Sequence, residues 1–382
     1  MDVVLASSKK GYYFWLGLGV ILLGLGLAAG LDAMRIGYAN AYGITRHIPW
    51  GLLISGYIFF VVTSTGLCIV SSIGDVFGFK NFIPIAKRAV FLSIVSILSG
   101  FMVIFFELDH PFRMLIYNII TPGLESNIWW MGTLYGIYLI FMVIEFIFLS
   151  IGKPRMAALA GLAGLIVGIS AHSNLGAVFG TLSSRPFWYG PYIPIYFIAS
   201  ALMSGCAAII FFTWFALKIR NESVDEEMKQ SIESVSKLSV LAISIMLFFY
   251  SWEIITGITG GESHKVAVLS MLSGPYAFQF WFFIVLTGMV LPLVLFISTK
   301  GKNINISFLA STMMLIGIFF MRYDLVLVGQ IVPLYHDLGA MGLHKYQPSI
   351  FEIAIFIGGL GLLLVGFVLG EIIFKGHRSE VH

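Results

Sequence analysis

Ten times along the sequence an apolar run of about 20 residues gives way to a short segment where polar and charged residues gather. The runs cover 12–31, 50–73, 87–107, 128–150, 156–172, 190–219, 235–258, 276–298, 305–324 and 350–374. At a rise of about 1.5 Å per residue such a run is a helix long enough to cross the hydrocarbon core of a bilayer. None shows the strict apolar–polar alternation of a membrane-spanning strand. The pattern therefore predicts an all-α polytopic membrane protein of about ten transmembrane helices. The fifth run is the shortest and is rich in glycine (GLAGLIVGIS), which suits close helix packing.

Composition agrees with the pattern. Of 382 residues 59% are hydrophobic and only 11% charged, less than half the charge of an ordinary soluble domain. The first run is already of spanning length and has no small-x-small exit, so it reads as a retained helix rather than a cleaved signal. Cys68 and Cys206 both lie inside apolar runs, as fillers.

The charge distribution tests the helix count. Threading ten spans leaves Lys9, Lys10, Lys80, Lys87, Arg88, Lys153, Arg155, Lys218, Arg220, Lys229, Lys237, Lys300, Lys302, Lys375 and Arg378 on one face, which is 15 of the 22 basic residues. Arg35, Arg46, Arg113, Arg185, Lys265, Arg322 and Lys345 fall on the other. A missed span would scramble that split. The positive-inside rule then puts both termini in the cytoplasm. The opposite face carries the longer loops, 32–49, 108–127, 173–189, 259–275 and 325–349, with His47, His110, His172, His264, His336 and His344. The segment ESVDEEMKQSIES, within 218–237, reads as a solvated linker between two halves, 1–219 with helices one to six and 220–382 with helices seven to ten.

The connection from His172 to Tyr196 (HSNLGAVFGTLSSRPFWYGPYIPIY) joins two spans yet holds His172, Asn174, Arg185, Trp188 and three tyrosines. Aromatic residues of this kind favour the membrane interface, so the stretch reads as a polar, aromatic-walled rim over a membrane-embedded pocket. Ionisable groups inside spans are costly and are functional candidates by default. Glu107 ends the third helix and pairs with His172 as a candidate acid and base. Glu145 has nothing near it in sequence to neutralise it and reads as a proton relay. Glu253, Arg322, Asp324 and Glu352 lie in or at the ends of later spans. A second proton path and simple pairing within the bundle are both open for Glu253, Arg322 and Glu352.

Several chemistries are missing from the sequence. On these boundaries no histidine lies in mid-membrane, which removes bis-histidine haem. There is no CxxCH, no cysteine cluster for iron–sulfur, no metal site, no Walker loop and no GxGxxG after a strand. Redox work by such a protein needs a lipid-soluble carrier, a quinone. A quinone site asks for an apolar slot, aromatic walls, donors for two carbonyl oxygens and groups that exchange protons.

From HIPWGLLISGYIFF (47–60) onward the sequence resembles the NrfD/PsrC family of quinone-interacting membrane subunits. The resemblance runs through GFKNFIPIAKRAVFL (78–92), FELDHPFRM (106–114), NIWWMGTLYGIYL (127–139), HSNLGAVFG…RPFWYGPYIP and YQPSIFE (346–352), and is nearest to the DsrP/HmcC branch of sulfate-reducer redox complexes. Glu107 stands where the family has Asp, and Asp109 and His110 where it has Gly and Arg. The resemblance implies two four-helix bundles, helices two to five and six to nine, flanked by peripheral helices, with the quinone head in the first. It implies catalytic roles for Glu107, His172 and Glu145, and quinone contacts by Tyr57, Trp50, Asn127, Arg185 and Trp188. A second proton path would run by Glu253, Arg322 and Glu352. It further implies menaquinone or menaquinol as a diffusible cofactor, with no haem or iron–sulfur cluster in the protein itself. The implied partners are an extracytoplasmic ferredoxin-like iron–sulfur subunit, then a multihaem cytochrome c and a second membrane subunit. The bilayer is the surrounding, the cytoplasmic membrane the location, and nucleic acid is no partner. Two other classes compete: a proton- or ion-translocating transporter subunit, which would need broken helices in both halves with the fifth as the one candidate, and a structural membrane anchor.

Overall fold

A computed structural model describes residues 2–334 and 342–374, so His336, Lys375 and Arg378 lie outside the described residues. Ten helices are long and apolar enough to cross a membrane. They are α1 (Asp2–Ile36), α2 (Leu52–Asp75), α3 (Ile83–Glu107), α4 (Asn127–Ser150), α5 (Pro154–Gly180), α6 (Tyr192–Arg220), α7 (Glu226–Thr259), α8 (Gln279–Thr299), α9 (Ile304–Ile331) and α10 (Ile350–Ile373). The first twelve residues of α8, Gln279–Val290, wind as a π-helix. No strand occurs among the described residues.

Several boundaries differ from the sequence reading, each for a physical reason. α5 is not short: it runs 27 residues, to Gly180. Ser173 and Asn174 do not end it, because the Asn174 side chain donates to the Asn127 carbonyl of α4 at 2.7 Å and the helix continues beneath that bond. The one segment expected to be a broken helix is therefore continuous. α9 likewise continues past Asp324 through LVLVGQI to Ile331. The acidic linker supplies the first turns of α7, capped by Asp225, whose carboxylate accepts from the Met228 amide at 2.8 Å. Three loops on the far face contain helices of their own, Tyr38–Ala41, Pro111–Ile120 and Glu262–Leu272.

The spans α2–α5 pack around one another, and α6–α9 form a second group. α1 and α10 run together on the flank, against α3. The two groups meet where α2 crosses α6. Gly66 and Gly205 face each other there so closely that a Cβ on Gly66 would strike the Ala201 carbonyl, and one on Gly205 would strike the Gly66 backbone. Lipid supplies no hydrophobic force between helices, so such backbone contact is a main source of association. At the end of the bundle nearer the termini an ion triad ties α3 and α10 to α6. Glu371 of α10 accepts from Arg88 Nε of α3 at 2.9 Å and from Arg220 Nη2 of α6 at 2.6 Å, all three groups being buried. Arg88 also donates to Thr213 at 3.3 Å, and Arg220 to the Tyr12 hydroxyl at 3.1 Å.

Replacing Gly66 by Val should force α2 and α6 apart, at a cost of about 1–3 kcal/mol or more. Gly17→Ala, on a face with nothing within 4 Å, should leave stability unchanged. Thermal unfolding of the two variants in detergent checks the difference.

Candidate functional site

The rim between α5 and α6 is a lid fastened to α9. Arg185 Nη1 donates to the Gln330 carbonyl at 3.1 Å and to the Val332 carbonyl at 2.9 Å, capping a helix end whose last carbonyls have no partner within the helix. Burial draws the Arg185 pKa down from its usual range. Trp188 is buried, and its indole nitrogen donates to the Leu325 carbonyl at 2.7 Å. The ring lies against Gly329, where any Cβ would collide with it. Trp50 and Phe179 close around it, with ring centroids 5.4 and 5.1 Å away. Trp50 is held in turn by Gln330, whose amide accepts from the Trp50 N–H at 3.1 Å and donates to the Trp50 carbonyl at 2.9 Å. Asn127 is a partner of Asn174 and Thr181 at the same face. Trp50, Asn127, Arg185 and Trp188 thus build and close the rim, with Trp188 as its plug.

Below the plug lies a polar centre at the junction of the two helix groups. His172, expected at the rim, sits eight residues inside α5, about 12 Å below Gly180. Tyr135 lies eight residues inside the antiparallel α4, and the equal depth lets its hydroxyl meet His172 Nδ1 at 3.0 Å. The ring of Tyr57, on α2, stands edge-on to Tyr135 at 6.5 Å. Arg322 enters from α9, nine residues before its rim-side end, with no exposed surface. Its guanidinium lies over the rings of Phe197 and Tyr196 at 5.4 and 5.6 Å, and Phe197 also contacts the His172 ring. Among the described residues neither His172 Nε2 nor any guanidinium nitrogen of Arg322 has a hydrogen-bond partner. Leaving such groups unpaired in a dry interior is expensive. Arg322 thus brings only donors into the centre, and His172 Nε2 donates or accepts according to its tautomer.

Farther toward the terminal face, Tyr138, three residues along α4 from Tyr135, shares its hydroxyl with Ser93 at 2.7 Å and Ser64 at 3.1 Å. Beyond them Glu145 is fully buried in a notch left by Gly161, its oxygens unpaired among the described residues.

The expected pairing of Glu107 with His172 is not formed. Glu107 is the last residue of α3, at rim level, and His172 is a third of the way down α5 with Tyr135 as its partner. The depth difference follows from the longer α5. Nor do Glu253, Arg322 and Glu352 join into one path. Glu352 caps α10 in a reciprocal box with Ser349. Its carboxylate accepts from the Gly43 amide at 2.7 Å and the Tyr346 hydroxyl at 2.5 Å. Burial and the adjacent carboxylate push the Tyr346 phenol up, which keeps it a donor. Tyr42, one residue before Gly43, donates to the Phe106 carbonyl beside Glu107, so Glu107 and Glu352 share a structural corner. Glu253 instead pairs with His264, at 3.0 Å.

Tyr135 was not anticipated, whereas Tyr196 was one of the three tyrosines counted in the rim stretch. Tyr135 and Tyr138, three apart in an otherwise apolar span, carried the only sequence signal, since that spacing puts both hydroxyls on one helix face.

Fold and centre together define a multi-pass helical membrane protein with an unsaturated polar core between two helix bundles. By a family profile described as "Polysulphide reductase, NrfD", which matches residues 41–333, the protein belongs to the NrfD family. It is 25% identical to a selenate reductase subunit of Mesobacillus selenatarsenatis over 98% of its own length and 96% of the relative's. It is 22% identical to the Hdr-like menaquinol oxidoreductase integral membrane subunit of Archaeoglobus fulgidus, over 93% and 92%. With a membrane-family relative from Haemophilus influenzae, described as an NrfD homolog, the identity is 26%, over 76% and 98%. The protein is thus a multi-pass cell-membrane member of a family of oxidoreductase subunits.

Trp188→Ala should cost about 3–5 kcal/mol by opening the plug. Trp188→Phe, which keeps an aromatic ring but loses the bond to Leu325 and part of the packing on Gly329, should cost less, about 1–3 kcal/mol. Thermal unfolding of both variants separates the two figures.

Proposed function

We propose that the protein is the quinol-handling membrane subunit of a respiratory complex, oxidising menaquinol or reducing menaquinone. In this reading it exchanges electrons with an extracytoplasmic iron–sulfur subunit docked on the rim face, with a multihaem cytochrome c and a second membrane subunit as further partners. Both termini would then be cytoplasmic. The observation that carries the reading is that His172 Nε2 and the Arg322 guanidinium, both buried, meet at one centre without hydrogen-bond partners among the described residues. It fits a ring bearing two oxygens, and the Archaeoglobus relative is named for menaquinol chemistry.

Menaquinol supplies two electrons and two protons when it binds. His172 Nε2 takes or gives a proton at the ring oxygen. To accept one, its Nδ1 carries the other hydrogen and donates it to the Tyr135 oxygen; in the reverse direction the imidazolium gives the Nε2 proton back with the same Nδ1–H bond in place. One hydrogen bond of 3.0 Å thus serves either direction. Arg322 provides positive charge where negative charge develops on oxygen. Tyr57 forms a wall of the site, and Trp188, Trp50, Arg185 and Asn127 keep water from entering through the rim. Glu145, with Tyr138, Ser64 and Ser93 between, connects the centre to the basic face. The N-terminal half, 1–219, supplies the base, and the C-terminal half, 220–382, the cation.

His172→Gln and Tyr135→Phe should each lower quinol-driven electron transfer by about a hundredfold, with the protein still folded. An azido-menaquinone photolabel should mark α4 and α5. Wild-type rates in both variants would refute the assignment, and label confined to α7 and α9 would move the head group to the other bundle.

A further inference from the structure

A recess of about 410 Å³ opens on the basic face, between α1 and the end of α6. Gly11 and Trp15 of α1 line it, with Trp214, Phe215 and Lys218 of α6 and Asn221 just beyond. That volume is in the range of small-molecule sites, roughly 300–1,000 Å³. It lies at the opposite end of α6 from the rim, far from the quinol centre.

The walls are fixed from several sides. Trp214 stacks on Phe308 of α9 with centroids 3.7 Å apart, and its indole N–H donates to Asn305 Oδ1 at 2.8 Å. Trp15 meets Phe215 edge-on at 4.8 Å, and Arg220 Nε donates to the Tyr12 hydroxyl at 3.1 Å. The Lys218 ammonium stands over the Trp214 ring, 5.4 Å from its centroid, which steadies an otherwise mobile cation. Among the described residues no carboxylate pairs with Lys218. The carboxylates of the adjoining turns, Glu222 and Glu371, are engaged by Arg220. The carbonyl end of α6, the negative pole of its dipole, is closed by Asn221. With φ at 54° that residue turns its N–H onto the Leu217 and Lys218 carbonyls. What lines the space is therefore a cation, an amide and two indoles.

Two features choose the ligand. A positive charge left unanswered calls for an anion. The surface next to the recess is apolar: Phe14, one turn along α1 from Gly11, is 64% exposed, and Leu309, one turn along α9 from Asn305, is 51% exposed. In a bilayer such positions meet acyl chains, so the anion is the head of a lipid. Indoles favour headgroup depth, and basic pockets between helices suit phospholipid heads.

We propose that the recess binds one anionic membrane phospholipid, with its phosphate on Lys218 and Asn221 and its chains along Phe14 and Leu309. The inference is independent of the quinol reading. A lipid seated there lies between α1 and α6 and fastens the flanking helix to the second helix group.

The test uses the full-length protein in neutral detergent, read by native mass spectrometry and thermal unfolding. The probes are dioleoyl-phosphatidylglycerol, dioleoyl-phosphatidylcholine and glycerol 3-phosphate. The wild type should retain one phosphatidylglycerol in preference to phosphatidylcholine, and should unfold at a higher temperature with it. Lys218→Ala should weaken that binding about fivefold, Lys218→Glu should weaken it more, and Lys218→Arg should retain it. Gly11→Leu should block the recess without disturbing the fold, because a Cβ there meets the Ile219 carbonyl at 3.6 Å, an ordinary contact. Lys153→Ala, which removes an exposed cation elsewhere on the same face, should leave binding unchanged. Equal retention of the two phospholipids would overturn the site, as would a loss in Lys153→Ala as large as in Lys218→Ala. Glycerol 3-phosphate binding as well as the phospholipid would overturn the lipid assignment in favour of a free anion. A wild-type dimer that Gly11→Leu splits would overturn it in favour of a second copy of the chain.

Discussion

Everything in this molecule is positioned by the crossing of α2 over α6 at Gly66 and Gly205. In a bilayer the two helices gain little from mutual hydrophobicity, and their contact depends on how near the backbones come. With no side chain on either glycine the helices touch main chain to main chain. That contact places Tyr57 on one side of the junction and Tyr196 with Phe197 on the other. It also leaves α5 and α9, packed against the crossing pair, aiming His172 and Arg322 at one another's surroundings. Wider spacing at the crossing would separate the base from the cation.

The bundle holds two kinds of buried arginine. Arg88 and Arg220 share Glu371; Arg88 also bonds Thr213, and Arg220 bonds the Tyr12 hydroxyl and the Glu371 carbonyl and pairs with Glu222, so their charges are answered within the protein. Arg322 faces aromatic rings, with no bonded acceptor among the described residues. The first arrangement holds helices together. The second keeps an electrostatic demand open, and in a medium of low dielectric constant that demand is strong. The same residue type closes its bonds in one place and leaves them open in the other, and only the partners distinguish them.

Much of the fold could be read from the sequence, since ten apolar runs can be satisfied in few ways. Boundaries failed where polar residues stood inside a helix. His172–Asn174 and Arg322–Asp324 look like helix ends, yet Tyr135 and the Asn127 carbonyl take up the polar groups of α5, and the ring faces of Tyr196 and Phe197 take Arg322 of α9. Those partners lie on other helices, and their depth depends on a register that no local pattern records. The same reason explains the false pair of Glu107 and His172: each was a sound candidate, but the added length of α5 sets them at different depths. His172, Arg322 and Glu145 were legible because ionisable groups are conspicuous in a greasy span. Tyr135 was hidden, since a tyrosine among phenylalanines reads as packing until its hydroxyl is seen to have a partner.

The attachment of the rim to α9 has a mechanical corollary. Arg185 grips the end of that helix and Trp188 is keyed into its last turns, while Arg322 and Asp324 hang from the same rod a little farther down. Any load applied to the lid from outside is borne by the shaft that carries the cation and the acid. A displacement of the lid is therefore transmitted to Arg322 and Asp324 through one stiff member.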